Sequence, residues 1–344
     1  MTYRILACGS NGNYQLGTGD NDDYDTLTPI PIAISCRPVQ FAFGGNHTLL
    51  RLQDGRVYAC GDNTYGQCGN LKASLVTEFT LVPGKWAQIA AGWEFSVLVS
   101  DSGTIYTCGH GPKGELGLGA ETTTAETLTE VPLPTGFEYS IVKDIKAAIG
   151  HVVVQYSNNK FIGWGTCRKG QLGPQEFEMT SRGKKPLSLY WIPRVLDVHG
   201  LLVCLGRDRS VFTGEKGITI IGKNPQFIPC TPFKVEAMWS SVHYSENVNG
   251  NIHLVSLGNN LHGQLFQYQI PGEMADFEVG SEHGILLLKD NSVYAWGWGE
   301  HGNCGNKQTD SVTFDYLNPI YNGANPVELM ACGLATTWIV ERIE

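Results

Sequence analysis

Three histidines sit where a metal site or a proton-transfer site would first be sought. His47, His283 and His301 each follow a glycine-rich stretch. Zinc sites announce themselves by ligands at short fixed spacings such as HxH, HExxH or CxxC. None of these occurs, and the ten cysteines are scattered without a CxxC pair. No resident metal is therefore expected. A ring hydrogen bond to the backbone of a neighbouring structural unit accounts for the histidines without one. Glu300-His301 has the composition of an acid–base pair, but acyl transfer also needs a nucleophile and an oxyanion site, and GxSxG is absent. Gly297-Trp298-Gly299-Glu300-His301-Gly302 fits GxGxxG. That motif holds a pyrophosphate only where it opens a helix after a strand. Here it closes a β-hairpin unit, so neither a dinucleotide cofactor nor any catalytic residue is expected.

What remains is recognition chemistry, and it rests on tryptophan. Trp296 aligns with Cys60, Cys108 and Trp164 at the end of an apolar strand pattern, the position of a packed core residue. Trp298 aligns instead with Asp62, His110 and Thr166, which are all polar. An indole in a rigid loop after a strand is a typical interface anchor. Trp93-Glu94-Phe95 occupies the place of Gly45-Asn46-His47 and Ser281-Glu282-His283, and Trp239 holds the corresponding place further on. Packing between adjacent units is the competing account, and it fits Phe95 better than Trp93. The expected partner-binding residues are Trp93, Glu94, Trp239, Glu282, Trp298, Glu300 and His301, grouped at a rim.

The elements that position these residues are repeats. One module runs from Gly44-Gly45-Asn46-His47 through a strand pattern, an Asp54-Gly55 turn and a second strand pattern to Gly61, Gly66 and Gly69. It recurs from Gly92 to Gly109, Gly114 and Gly117, and from Gly280 to Gly297, Gly302 and Gly305. The first anchor glycines are 17 residues apart each time (61−44, 109−92, 297−280). Two apolar runs around an Asp-Gly turn read as a β-hairpin, and a lone hairpin cannot bury its own apolar face. Copies must stack. Weaker copies place anchors at Gly9, Gly165, Gly214 and Gly258, giving seven units. Cys332 to Val340 resembles a first half without a second, and Tyr3 to Gly9 a second half without a first. Joined, they complete one unit and remove two sheet edges. The expected fold is all-β: a seven-bladed β-propeller closed by pairing of the N- and C-terminal strands, with residues 1–344 as one domain.

Composition agrees with this. Glycine is frequent, at 42 of 344 residues, while charged residues make up 17% and hydrophobic ones 42%, the balance of a packed protein with many tight turns. The net charge of −9 disfavours direct nucleic-acid binding, and no Lys/Arg run offsets it. No apolar run approaches the roughly 20 residues that cross a bilayer, and residues 1–10 lack the apolar stretch of a signal peptide. The expected setting is a reducing, soluble, intracellular one: the cytoplasm, with the nucleus as a second compartment.

The glycine-rich module resembles the regulator-of-chromosome-condensation repeat over nearly the whole chain, most weakly between residues 183 and 250. Gly280 to Leu286, Trp296 to Gly305, Ala335 to Val340 and Met238 to Ser241 resemble more narrowly one fungal branch of that family, the α-tubulin-suppressor or killer-toxin-insensitivity propellers. This resemblance implies a non-enzymatic scaffold paired with a small CSL-type zinc-finger electron carrier. It implies service to Elongator-dependent modification of tRNA wobble uridines and to diphthamide synthesis on elongation factor 2. The alternative the family implies is guanine-nucleotide exchange on a small GTPase.

Overall fold

A computed structural model describes residues 2–181, 183–248 and 251–343. Among these residues the regular structure is β, arranged as seven antiparallel blades around a channel with one additional two-stranded sheet. We number these blades in the order of the anchor glycines, each from its innermost strand outward. Blade 2 is Pro38–Phe43, His47–Leu52, Val57–Asp62 and Leu75–Val82. Blade 3 is Trp86–Ala91, Phe95–Ser100, Ile105–His110 and Thr124–Glu130. Blade 4 is Val142–Ala147, His151–Tyr156, Phe161–Thr166 and Leu189–Leu196, with a hairpin of Phe177–Thr180 and Gly183–Pro186 inserted before its last strand. Blade 5 is Leu202–Gly206, Arg209–Gly214, Gly217–Gly222 and Gln226–Ile228. Blade 6 has three strands, Lys234–Ala237, Ser241–Val248 and Asn251–Gly258. Blade 7 is Met274–Val279, His283–Leu288, Ser292–Trp298 and Thr313–Asn322.

Blade 1 closes the ring as the sequence predicts. Val327–Cys332 and Thr336–Arg342 come from one end of the chain, Tyr3–Gly9 and Tyr24–Pro29 from the other. Tyr3 to Gly9 pairs residue for residue with Arg342 to Thr336. Glu341 fastens this seam. Its buried carboxylate accepts from Arg4 across it, and from Tyr321 Oη (2.6 Å) and Asn325 Nδ2 (3.0 Å) beside it.

The anchor glycines explain why seven dissimilar segments take one shape. At Gly61 the backbone has φ +105°, and an added Cβ would stand 2.3 Å from the Asn46 carbonyl oxygen. Only glycine tolerates both. The same clash with the turn one strand back recurs at Gly9, Gly109, Gly165, Gly222, Gly258 and Gly297. This corrects one expectation. The blade 5 anchor is Gly222, not Gly214, which ends the second strand without a positive φ. Blade 5 lacks the long glycine-punctuated loop that follows the other anchors, so the sequence offered two glycines and no means of choosing.

The core lies between blades, where facing sheets bury Val, Ile, Leu and Trp. Polar bonds repeat through it. In blade 1 the Gln15 carbonyl accepts from Thr48 Oγ1 of blade 2 at 2.7 Å. Gln67 accepts in the same way from Ser96, Gln171 from Ser210 and Asn303 from Thr337. Where the next blade has Val152 or Gly284 instead of a hydroxyl, an indole substitutes. Trp164 Nε1 donates to the Glu115 carbonyl at 2.7 Å, and Trp296 Nε1 to the Gln264 carbonyl at 3.0 Å. A buried carbonyl left unpaired costs about 1–3 kcal/mol, so Trp164 and Trp296 are core residues with a polar duty as well. The histidines extend the pattern. Nε2 of His47 meets Ser96 Oγ at 2.7 Å, and His151 and His283 meet Ser210 and Thr337 likewise. Each ring bonds to the next blade, as expected, but through a side-chain hydroxyl rather than the backbone.

Candidate functional site

Each blade sends its first turn and the loop after its third strand to the same face, because successive strands alternate in direction. Trp93 and Glu94 stand on the first turn of blade 3, Trp239 on that of blade 6, and Glu282 on that of blade 7. Trp298 ends the third strand of blade 7, and Glu300 and His301 follow it in the loop. All seven residues singled out from sequence thus belong to one rim.

Backbone bonds run from turn to turn around the channel mouth. Gly45 N donates to Trp93 O (2.8 Å), Trp93 N to Ile149 O (3.4 Å), Arg207 N to Trp239 O (3.3 Å) and Trp239 N to Ser281 O (2.9 Å). Ser281 Oγ continues the chain to the Leu334 carbonyl. Side chains on these turns are therefore mounted on a fixed backbone, an arrangement that lowers the entropic cost of binding wherever it occurs.

Trp93 and Trp239 come from blades on opposite sides of the ring, yet their rings lie 6.3 Å apart, tilted by 49°. Together they roof the channel. Both line the channel below and the rim cavity above. Trp93 is 43% exposed, an unusual state for an indole, while its neighbour Phe95 is buried in the blade junction. Trp298, Glu300 and His301 line the same cavity, with Phe43, Ser281, Leu334 and Ala335. Trp298 is half-buried and stacks on His262 at 4.6 Å. It belongs to the strand rather than to the loop, and pairs with Thr313.

The polar members differ in their freedom. Glu300 is exposed. His301 is exposed too, with Nδ1 2.9 Å from Asp23 Oδ2 of blade 1. Glu94 is half-buried at the edge. Glu282 is only 7% exposed, and its carboxylate accepts from Ser240 Oγ and Gln264 Nε2, both at 2.9 Å. Burial pushes the Glu282 carboxyl above its ordinary range, although those two bonds pull it back. It braces the Trp239 turn from beneath.

Two clusters escaped the sequence reading. In the first, the channel is lined by Gln40, Lys146, Glu236 and Glu278 among its apolar residues. Lys146 pairs with Asp144 at 3.3 Å, and Lys234 with Asp276 at 2.9 Å and with Glu278. Burial pushes Glu278 up to about 7 against the pull of Lys234. The signal was present as charges two apart on innermost strands, Asp144/Lys146, Lys234/Glu236 and Asp276/Glu278, which share a face of their sheets. Two lysines, Lys146 and Lys234, stand against four carboxylates, Asp144, Glu236, Asp276 and Glu278, so the channel network carries an acidic excess. The second cluster, Arg207, Arg209 and Lys223, opens beside Trp239.

The chain matches the "Regulator of chromosome condensation (RCC1) repeat" at residues 4–50, 54–99 and 290–339, and a second description of that repeat at residues 39–67, 86–115 and 275–303. An RCC1 repeat-containing protein of Schizosaccharomyces pombe is 29% identical, over 98% of this chain and 98% of its own. The secretion-regulating guanine nucleotide exchange factor of Bos taurus is 23% identical, over 88% of this chain and 75% of its own. Among solved structures, Prp20p of Saccharomyces cerevisiae superposes with a TM-score of 0.79 at 17% identity, covering 99% of this chain and 92% of its own. Human WBSCR16 superposes with a TM-score of 0.57 at 17% identity, covering 99% and 84%. With seven blades, seven anchor glycines and these matches, the chain is an RCC1-like β-propeller.

Proposed function

We propose that this propeller is a non-enzymatic platform whose first-turn rim binds a small CSL-type zinc-finger protein. In that pairing it supports Elongator-dependent modification of tRNA wobble uridines and diphthamide synthesis on elongation factor 2. The setting is the cytoplasm, with the nucleus as a second compartment. Contact with Elongator runs through the pair, and the platform itself touches neither nucleic acid nor membrane. The observation that carries this reading is the roof of Trp93 and Trp239, flanked by Trp298 and Glu300 on turns fixed by a ring of backbone bonds. Trp93 is exposed and Trp239 and Trp298 are half-buried, and accessible indoles on a rigid base are the usual anchors of protein interfaces. A second observation supports the choice of partner. The four stretches that resemble the zinc-finger-pairing branch each contribute to the rim cavity, through Trp239, Ser281, Trp298 with Glu300, and Ala335.

Guanine-nucleotide exchange on a small GTPase is the second reading. It is favoured by the bovine relative named as an exchange factor and by Prp20p, whose structure is described with its binding to Gsp1p. Purification of the tagged chain, followed by mass measurement of what accompanies it in stoichiometric amount, decides between them. The platform reading expects a CSL-type zinc-finger protein. A GTPase in its place, with nucleotide release accelerated by the chain, establishes the second reading.

A further inference from the structure

Blade 5 departs from the others at its junction with blade 6. In most blades a long loop follows the third strand and presents a carbonyl to the next blade. In blade 5 only Lys223, Asn224 and Pro225 join Gly217–Gly222 to Gln226–Ile228. The residue across the junction is Val242, which has no hydroxyl to offer. The missing loop leaves a cleft on the rim face.

Arg209 lies at the base of this cleft. It occupies the position of His47, His151 and His283, and like them it is buried, at 6% exposure. Those histidines each find a hydroxyl on the next blade. Arg209 finds none, and its buried Nε has no hydrogen-bond partner among the described residues. Lys223 and Arg207 stand above it, with Asn224, Ser240 and Asn259 supplying further polar groups. Two carboxylates also face the cleft. Glu282 is engaged by Ser240 and Gln264, and the Asp208 carboxylate, like that of Glu282, favours the charged form of Arg209. None of Arg207, Arg209 and Lys223 belongs to an ion pair among the described residues, in a chain with 33 acidic and 24 basic ones. Three cations against two carboxylates, with one cation buried and its Nε unpartnered, form a site one anion short of neutral.

We infer that this cleft is an anion subsite of the binding rim and receives a carboxylate side chain from an acidic segment of the docked protein partner. The inference rests on the platform reading for the partner, and the cleft itself supplies the chemistry. Three cations against Asp208 and Glu282 leave one net positive charge, which suits a single carboxylate better than a phosphate dianion. The planar fork of a guanidinium grips a carboxylate through two parallel bonds. The Arg207 guanidinium lies 6.0 Å over the Trp239 ring, so the cleft adjoins the indole roof and one partner can cover both.

The test uses the full chain in two arms. In the first, a labelled hexaglutamate peptide is titrated by fluorescence anisotropy at low salt onto the parent, Arg209→Met and Lys223→Met, each checked by a melting curve. The parent is expected to bind, and each substitution to weaken binding by about tenfold with a shallower salt dependence. Lys223 is exposed, so its variant reads the site even if Arg209→Met fails to fold. In the second arm the CSL-type partner replaces the peptide, and the same variants are expected to lose about fivefold or more. Peptide and partner affinities unmoved by both substitutions overturn the inference. Inorganic phosphate that binds through Arg209 while the peptide does not overturns the carboxylate assignment. If the partner ignores the parent while the peptide depends on Arg209, the subsite stands and the platform reading falls.

Discussion

Glu341 offers the sharpest test of how the ring is held shut. Its side chain is fully buried in the last strand, yet it accepts from three groups on other segments: Arg4, Tyr321 and Asn325. Glu341→Ala removes the acceptor from all three. A hydrogen bond to a charged group contributes about 1.5–3 kcal/mol, which applies to the Tyr321 and Asn325 bonds. The Arg4 side chain is 45% exposed, so solvent screens its share, which we take as under about 1 kcal/mol. Allowing for relaxation of Tyr321 towards Asn325, the loss is about 4 kcal/mol, and Glu341→Gln loses about half of that. Burial alone would raise the Glu341 carboxyl, but Tyr321, Arg4 and Asn325 outweigh it, and it titrates below its ordinary value of 4.5. A carboxyl lowered by folding contributes stability that is complete above its unfolded pKa and vanishes as pH falls through the folded one. The parent should therefore lose this contribution below about pH 4.5, and Glu341→Ala should lack that loss. Urea unfolding followed by tryptophan fluorescence reads both effects, with Trp338 three residues away on the same strand. An Ala variant with the parent's midpoint at neutral pH would refute the idea that this carboxylate fastens the seam.

The other predictions follow from the same geometry. Gly222→Ala should destabilise by about 2 kcal/mol or more, since its φ is +99° and the new Cβ would stand 2.4 Å from the Asp208 carbonyl oxygen. Gly214→Ala should be nearly neutral in the same denaturation assay, because nothing but the Gly217 carbonyl lies within 4 Å. Ser96→Ala strands both His47 Nε2 and the Gln67 carbonyl, and should cost about 1–3 kcal/mol by thermal melting. Trp298→Ala should weaken partner binding at least about tenfold by calorimetry. It should also lower the melting temperature slightly, as the stack on His262 is lost.

Much of the ring was legible in the sequence because its constraint is local. A glycine is needed wherever the third strand turns over the first turn, so Gly61, Gly109 and Gly297 recur at one spacing. Blade 5 hid its anchor because its loop had been cut to three residues, and the loop carried the recognisable pattern. The indoles Trp93, Trp239 and Trp298 stood out as large residues at positions that are small or polar elsewhere. Their grouping at a rim was legible too, but the contact between the Trp93 and Trp239 rings was not, because they are 146 residues apart (239−93) and meet only when the ring closes. Glu282 looked like the exposed Glu300 because the sequence does not show that Ser240 and Gln264 arrive beneath it. Arg207, Arg209 and Lys223 were likewise too dispersed to read as a patch. The channel charges form pairs two apart on three strands, but the strands lie far apart in sequence and nothing local shows that they face one channel.

The central claim is that the indole roof is the seat of a protein partner. Calorimetric titration of the CSL-type zinc-finger protein onto the parent and onto Trp93→Ala and Trp239→Ala tests it directly, once melting curves show that both variants are folded. The account predicts one partner per chain on the parent and affinity reduced at least about tenfold in each variant. No binding to the parent, or equal affinity for all three proteins, would contradict it.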